Sequence, residues 1–203
     1  MYDSNFLHQF DGGINPSDID IGCLIDATEK YVSQMKYVYA TNLADYETIE
    51  LKIMNTNIPH LLGLSKNHHY GLDTYHAPKV FEKLKNEWTL KELIRLDERW
   101  FLESQGKLLG TMFLYQMLNL VNADTHYTII FNRFVSNRLK RDQIYFIFVK
   151  INSNYTFSLE LTNESVGSNI FIPRSLKLND TSVINNCPKV DLTLISKERI
   201  KQK

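Results

Sequence analysis

The string Ile58-Pro59-His60-Leu61-Leu62-Gly63-Leu64-Ser65-Lys66 places one histidine, one glycine and one lysine where an extended segment gives way to a mostly polar connection. An imidazole at such a junction can take or release a proton near neutral pH. Gly63 lets another backbone approach closely, and Lys66 brings a cation into the neighbourhood. The residues support two readings of His60. It is either a partly buried histidine pinned by Leu61, Leu62 and Leu64, or a general acid or base presented beside a strand end. Lys66 by itself is also what a solvated surface charge looks like.

Three further groups could carry chemistry. His68, His69 and His76, with Tyr70, Asp73 and Tyr75, fill a Gly-containing loop. Their spacings are adjacent or seven apart, unlike the helical-turn repeats of zinc sites, so they predict a polar loop flanking a cleft and no metal. Arg133, Arg138, Lys140 and Arg141, with Lys150 on the strand that follows, form either a solvated hairpin or a phosphate-contacting edge, since guanidinium forks match phosphate oxygens. Tyr145, Phe146, Phe148, Tyr155 and Phe157 alternate nearby; one face of such a sheet is core, and the other could stack unpaired bases. Finally, Ser158 in a strand and Arg174 and Ser175 at a strand end supply hydroxyls and a cation that can polarise a phosphate, or simply cap turns. No GxSxG elbow, P-loop, GxGxxG fingerprint or HExxH helix is present. Hydrolase, triphosphatase, dinucleotide-dependent and zinc-protease readings are weakened accordingly.

Several elements must hold these residues. Tyr2 to Asn15 reads as a loose arm, and residues 1–15 are set aside as such. Pro16, Ser17 and Asp18 mark a helix entry, after which Ile21, Leu24, Ile25, Thr28, Tyr31, Val32, Met35, Val38 and Tyr39 recur at three and four, predicting one helix to about Asn42. Thr48 to Met54 alternates as a half-buried strand. Helical periodicity resumes at Pro78 and continues to about Asn122, with Phe101 to Val121 apolar enough to be covered on several sides. Tyr127 to Phe131, Ile144 to Ile151, Tyr155 to Leu161 and Asn169 to Ile172 read as short strands of an antiparallel meander, separated by polar turns. Val190 to Ile195 adds an edge strand, and residues 196–203 form a basic tail expected to fray. The expected class is α+β: N-terminal and central helices followed by a small antiparallel sheet, with residues 16–195 as a single domain.

The 203 residues are 43% hydrophobic, and 23 basic residues balance 23 acidic ones, so global charge does not announce a nucleic-acid binder. Cys23 and Cys187 stand far apart without metal-type spacing and read as reduced thiols of a cytoplasmic protein, with a long-range bridge left open. Neither a secretory leader nor a bilayer-spanning run is visible, and no membrane partner is expected.

With these residues in view, the chain resembles the small phage- and mobile-element-borne domains of the barnase, EndoU, colicin E5/D and RelE-like nuclease superfamily, and within it the fourth phage-associated family. The residues that carry the resemblance are the strand Ile49 to Met54, the His-Leu-Leu-Gly-Leu string with Lys66, a central helical stretch, and strands ending in Phe157-Ser158-Leu159 and Ile172-Pro173-Arg174-Ser175. It runs from about Glu47 to Leu178. The resemblance implies metal-independent RNA cleavage by a toxin-like effector, without a cofactor. A base would deprotonate the ribose 2′-hydroxyl, cations would hold the phosphate, and an acid would protonate the leaving 5′-oxygen, giving a 2′,3′-cyclic phosphate. The roles it implies are acid or base for His60, phosphate stabilisation for Lys66, Lys150 or Arg174, and orientation or hydrogen-bond donation for Ser158 or Ser175. The implied partners are RNA, transfer RNA among the candidates, and a neutralising antitoxin or immunity protein. The alternative is a non-catalytic interaction protein that uses the same scaffold and its Tyr- and Phe-rich face. The neutral charge departs from a general ribonuclease and fits a narrow RNA target or a domain that has lost catalysis.

Overall fold

The computed structural model describes residues 2–64, 76–121, 126–130, 144–152, 154–165, 167–179 and 187–201, with only the backbone of 126–130. The chain divides into two compact units, one of residues 1–33 and 54–115, the other of residues 34–53 and 116–203.

The first unit is helical. Helix α1 (Ser4–Gln9) is capped by Asp3, whose carboxylate accepts the Phe6 amide, and Leu7 and Phe10 are buried. The expected loose arm is therefore a helix with an apolar anchor, and Phe10 packs its ring 4.8 Å from that of Phe113. In α2 (Ile21–Tyr31), Asp20 caps the N-terminus through the Cys23 amide, and Ile21, Leu24, Ile25 and Thr28 form the buried stripe. The remaining helices are α3 (Asn57–Leu61), α4 (Ala77–Asn86), α5 (Leu90–Leu96) and α6 (Glu98–Leu118). Thr89 and Glu92 form a reciprocal capping box on α5, and the Asp97 carboxylate accepts the Trp100 amide at the start of α6. From Leu108 to Leu114 every residue of α6 is buried, as its all-round apolar composition predicts.

The second unit is built on a sheet. Its strands are β1 (Met35–Thr41), β2 (Thr48–Ile53), β3 (His126–Ile130), β4 (Ile144–Ile151), β5 (Thr156–Asn163), β6 (Ile170–Leu178), β7 (Lys189–Val190) and β8 (Leu192–Arg199). Their order is β7-β3-β4-β5-β6-β2-β1-β8. Strands β3 to β6 form the expected antiparallel meander. The sheet is nevertheless mixed, because β2 joins β6 in parallel through Glu50 opposite Ile170 and Leu51 opposite Phe171. It also curls. Four strand spacings separate β1 from β4, about 19 Å on a flat sheet, yet the Tyr39 and Phe148 rings lie 5.4 Å apart. The inner face carries Tyr37, Tyr39, Ile49, Leu51, Phe146, Phe148, Leu159 and Phe171, all buried.

The α+β class stands, but the small antiparallel sheet placed after the helices is corrected to an eight-stranded mixed one whose first hairpin precedes α3. The helix expected to reach Asn42 ends at Tyr31. Val32 and Ser33 both donate to the Thr28 carbonyl, and Gln34 then adopts a left-handed conformation at φ 54° that turns the chain into β1. The Tyr37 and Tyr39 pair has the period of a strand, while Met35, Val38 and Tyr39 also fit a helix. Burial of both tyrosines on one sheet face decides between the two periods. The segment expected to fray is β8 as far as Arg199, paired along β1. Ile172-Pro173-Arg174-Ser175 lies inside β6 rather than after it.

Candidate functional site

In the first unit, the His60 string is a short helix and its cap. The Leu64 amide donates to the Pro59 carbonyl at 2.7 Å, and the Gly63 amide to the His60 carbonyl at 2.9 Å. With Gly63 at φ 79°, this is a Schellman stop, and it satisfies carbonyls that the helix end would otherwise leave open. Ile58, Leu61, Leu62 and Leu64 are fully buried, and Trp100 Nε1 donates to the Leu62 carbonyl at 2.9 Å. His60, half-buried, is thus held on a turn fixed at both ends. The strand-end setting expected for it is replaced by α3.

Gly63 has a second constraint besides its φ. A Cβ there would lie 2.9 Å from both Ser104 Oγ and Lys107 Nζ. Ser104 and Lys107 follow Trp100 at one and two turns of α6, so a single helix face supplies an indole, a hydroxyl and an ammonium to the His60 turn. Sequence reasoning passed over both, because a serine and a lysine inside an apolar helix read as interruptions. Their shared face with Trp100 was the available signal.

In the second unit, the registers distribute the sheet candidates between two faces. Ser158 lies opposite Lys177, and Glu160 opposite Ser175, so these four share the outer face. Lys177 Nζ meets Glu160 Oε1 at 2.6 Å, and the Glu160 side chain is only 6% exposed. Lys150 lies opposite Phe157, which turns it toward the inner face with Phe148. It is 4% exposed, and burial pulls its ammonium below the ordinary lysine range. Arg174 is exposed and sits at a register shift between Glu160 and Leu161, where Pro173 is accommodated. Ser158 and Ser175 are therefore brought together, whereas Lys150 faces away from them.

Lys66, His68, His69, Tyr70, Asp73, Tyr75, Arg133, Arg138, Lys140 and Arg141 lie outside the described residues. His76 precedes α4 and is exposed. Among the described residues no group of three or more His, Cys, Asp or Glu side chains could hold a metal ion, and no helix is long and apolar enough to cross a membrane.

Helices in one unit and a curled mixed sheet in the other define an α+β protein with candidate proton-transfer and phosphate-holding residues. A family model described as phage-Barnase-EndoU-ColicinE5/D-RelE like nuclease 4 matches residues 24–203, and the chain belongs to that family. The match starts inside α2 and takes in β1 and β8, well beyond the Glu47 to Leu178 stretch read from the sequence. No curated protein and no solved structure matches the chain.

Proposed function

We propose that this nuclease is a metal-independent endoribonuclease, a toxin-like effector that acts in the cytoplasm and cleaves RNA by attack of the ribose 2′-hydroxyl on the adjacent phosphorus. The observation that carries the reading is the seating of His60 on a capped turn whose Gly63 packs against the Lys107 ammonium. A histidine on a turn whose backbone is capped, with a cation packed against the same turn at Gly63, suits proton transfer next to a phosphate that is gaining charge. His60 removes the 2′-proton or delivers one to the leaving 5′-oxygen. Lys66 or Lys107 would hold phosphate oxygens at His60; Lys150 or Arg174, and Ser158 or Ser175, all in the second unit, are proposed separately as groups that hold or orient the substrate. As the 2′-oxygen bonds to phosphorus, the bond to the 5′-oxygen breaks, leaving a 2′,3′-cyclic phosphate and a 5′-hydroxyl. An antitoxin or immunity protein would restrain such an activity inside its host, and a neutral chain suits a narrow target such as transfer RNA.

The test is cleavage of total RNA and of transfer RNA by the purified protein in EDTA, with His60→Ala beside it. Discrete fragments ending in cyclic phosphate are expected from the wild type, with a loss of at least about 100-fold in the variant at unchanged thermal stability. Intact RNA from a folded wild type, with or without added divalent cations, overturns the reading in favour of an interaction protein.

A further inference from the structure

Trp88 and Trp100, both in the first unit, differ in what their indole N–H groups meet. Trp100 is 1% exposed, and its Nε1 donates to the Leu62 carbonyl at 2.9 Å. Trp88 is half-buried, and among the described residues its Nε1 has no hydrogen-bond acceptor. Its ring meets the Lys83 ammonium, with Nζ 5.1 Å from the centroid. The turn that carries Trp88 is held on both sides. The Lys83 carbonyl accepts the Glu87 and Trp88 amides as α4 ends, and Thr89 then opens the capping box of α5. A large ring on a turn fixed in this way is a preorganised surface.

Trp88 also lines a cavity of about 440 Å³ within the first unit, between residues 17–22 at the start of α2 and residues 85–91 around the α4–α5 turn. That volume is in the range of small-molecule sites. Ile19, Ile21 and Leu90, all buried, supply its apolar side. Its rim carries both signs, Asp18, Asp20 and Glu87 against Lys85 and Lys91. Two of these charges are already engaged: Asp20 caps α2 through the Cys23 amide, and Lys85 pairs with Glu29. Lys91 has no carboxylate within ion-pair distance among the described residues, and the Asp18 carboxylate meets only the Ser17 hydroxyl, at 3.5 Å.

These features select a ligand. A second cation is disfavoured, because the Lys83 ammonium already occupies the ring. An apolar side chain would leave the indole N–H without an acceptor. A plain anion would face the three carboxylates of the rim. A flat heterocycle that bears an amino group and is joined to a phosphate meets each group in turn. It stacks on the indole, accepts from Nε1, donates to Asp18 and pairs with Lys91.

We propose that this cavity binds one nucleotide with an amino-bearing base (adenine, cytosine or guanine) as a subsite for single-stranded RNA; its use during cleavage rests on the ribonuclease reading, whereas binding of the nucleotide does not.

With two tryptophans, the protein gives two indole N–H signals in its NMR spectrum. Adenosine, cytidine and guanosine 5′-monophosphates are expected to shift the Trp88 signal saturably in the millimolar range and to leave that of Trp100 in place. By calorimetry, Trp88→Leu should weaken adenosine monophosphate at least about fivefold, the loss of one base–aromatic stack. Lys91→Met should weaken adenosine monophosphate about threefold and leave adenosine unchanged. Uridine monophosphate, which lacks the amino group, should bind more weakly, and Asp18→Asn should narrow that gap. Asp18 and Lys91 are exposed, so these two variants keep the test open if Trp88→Leu does not fold. The proposal is overturned by the absence of a saturable shift from any nucleotide, or by an equal shift from inorganic phosphate or choline. Equal binding of uridine monophosphate, or equal loss of adenosine and its monophosphate in Lys91→Met, overturns it too. Cleavage of transfer RNA is read separately: nucleotide binding without cleavage fells the nuclease reading alone, and cleavage without nucleotide binding fells this site alone.

Discussion

The turn that carries His60 and the strands that carry Glu160 and Lys150 both hold polar groups in buried surroundings, by different means. In the turn, each satisfied group is a backbone group and most partners are a few residues away: Gly63 to His60, Leu64 to Pro59. In the sheet, the buried groups are side chains, and the register between successive strands of the meander decides what they meet. A turn closed by its own backbone hydrogen bonds needs few distant partners to position a side chain, here Trp100 and the adjoining face of α6. A buried charge in a sheet depends on every neighbour remaining in place.

That contrast can be broken first at the Glu160–Lys177 pair. Lys177→Met takes the ammonium away from a carboxylate that is 6% exposed, and is expected to cost about 3 kcal/mol in urea unfolding, the low end for a buried pair because Lys177 itself reaches solvent. Glu160→Gln added to it should restore most of the loss. A double variant as unstable as the single one would show that the pair is not what stabilises this face.

A smaller effect is expected at the turn. Gly63→Ala meets both the left-handed φ and the side chains of Ser104 and Lys107, whereas Gly167→Ala, at φ 78°, finds nothing within 4 Å. The strain alone is worth about 1 kcal/mol at each, and the close approach of α6 should bring Gly63→Ala to about 2 kcal/mol. Equal losses at the two positions would mean that α6 does not constrain the turn.

The smallest effect sharpens the comparison through pH. Burial lowers the Lys150 pKa from its ordinary 10.5, so the folded state holds its proton less tightly than the unfolded state does. The penalty is present in full below the folded value and is relieved as pH rises toward 10.5. The stability of the wild type relative to Lys150→Met should therefore increase with pH across that window. A constant difference between the two proteins would place Lys150 in a better-solvated position than the inner face.

How much of this was legible follows the same division. The meander and α6 were readable because period-2 alternation and all-round apolarity are local signals, whereas the five-residue helix under His60 is too short to show a period of its own. The parallel pairing of β2 with β6 was not, since a strand's own residues do not record the direction of its partner. The boundary between α2 and β1 was hidden for a related reason: no glycine or proline marks it, and the left-handed residue there is Gln34. Of the candidate site, His60 stood out by residue type and Lys150 by its place on a strand. Lys107 became visible only once the face of α6 had set it against Gly63. Ser158 and Lys150, close in sequence texture, were separated by nothing more than the parity of the pairing.

The pairing of β1 with β8 also sets a schedule. Met35 lies opposite Arg199, so one edge of β1 is completed only by the strand encoded last of the eight. At roughly 5–20 residues per second, a ribosome that has released β1 takes on the order of 10–30 s to deliver its neighbour. Through that interval the nuclease is made but unfinished, because β1 has no partner on one side until β8 arrives.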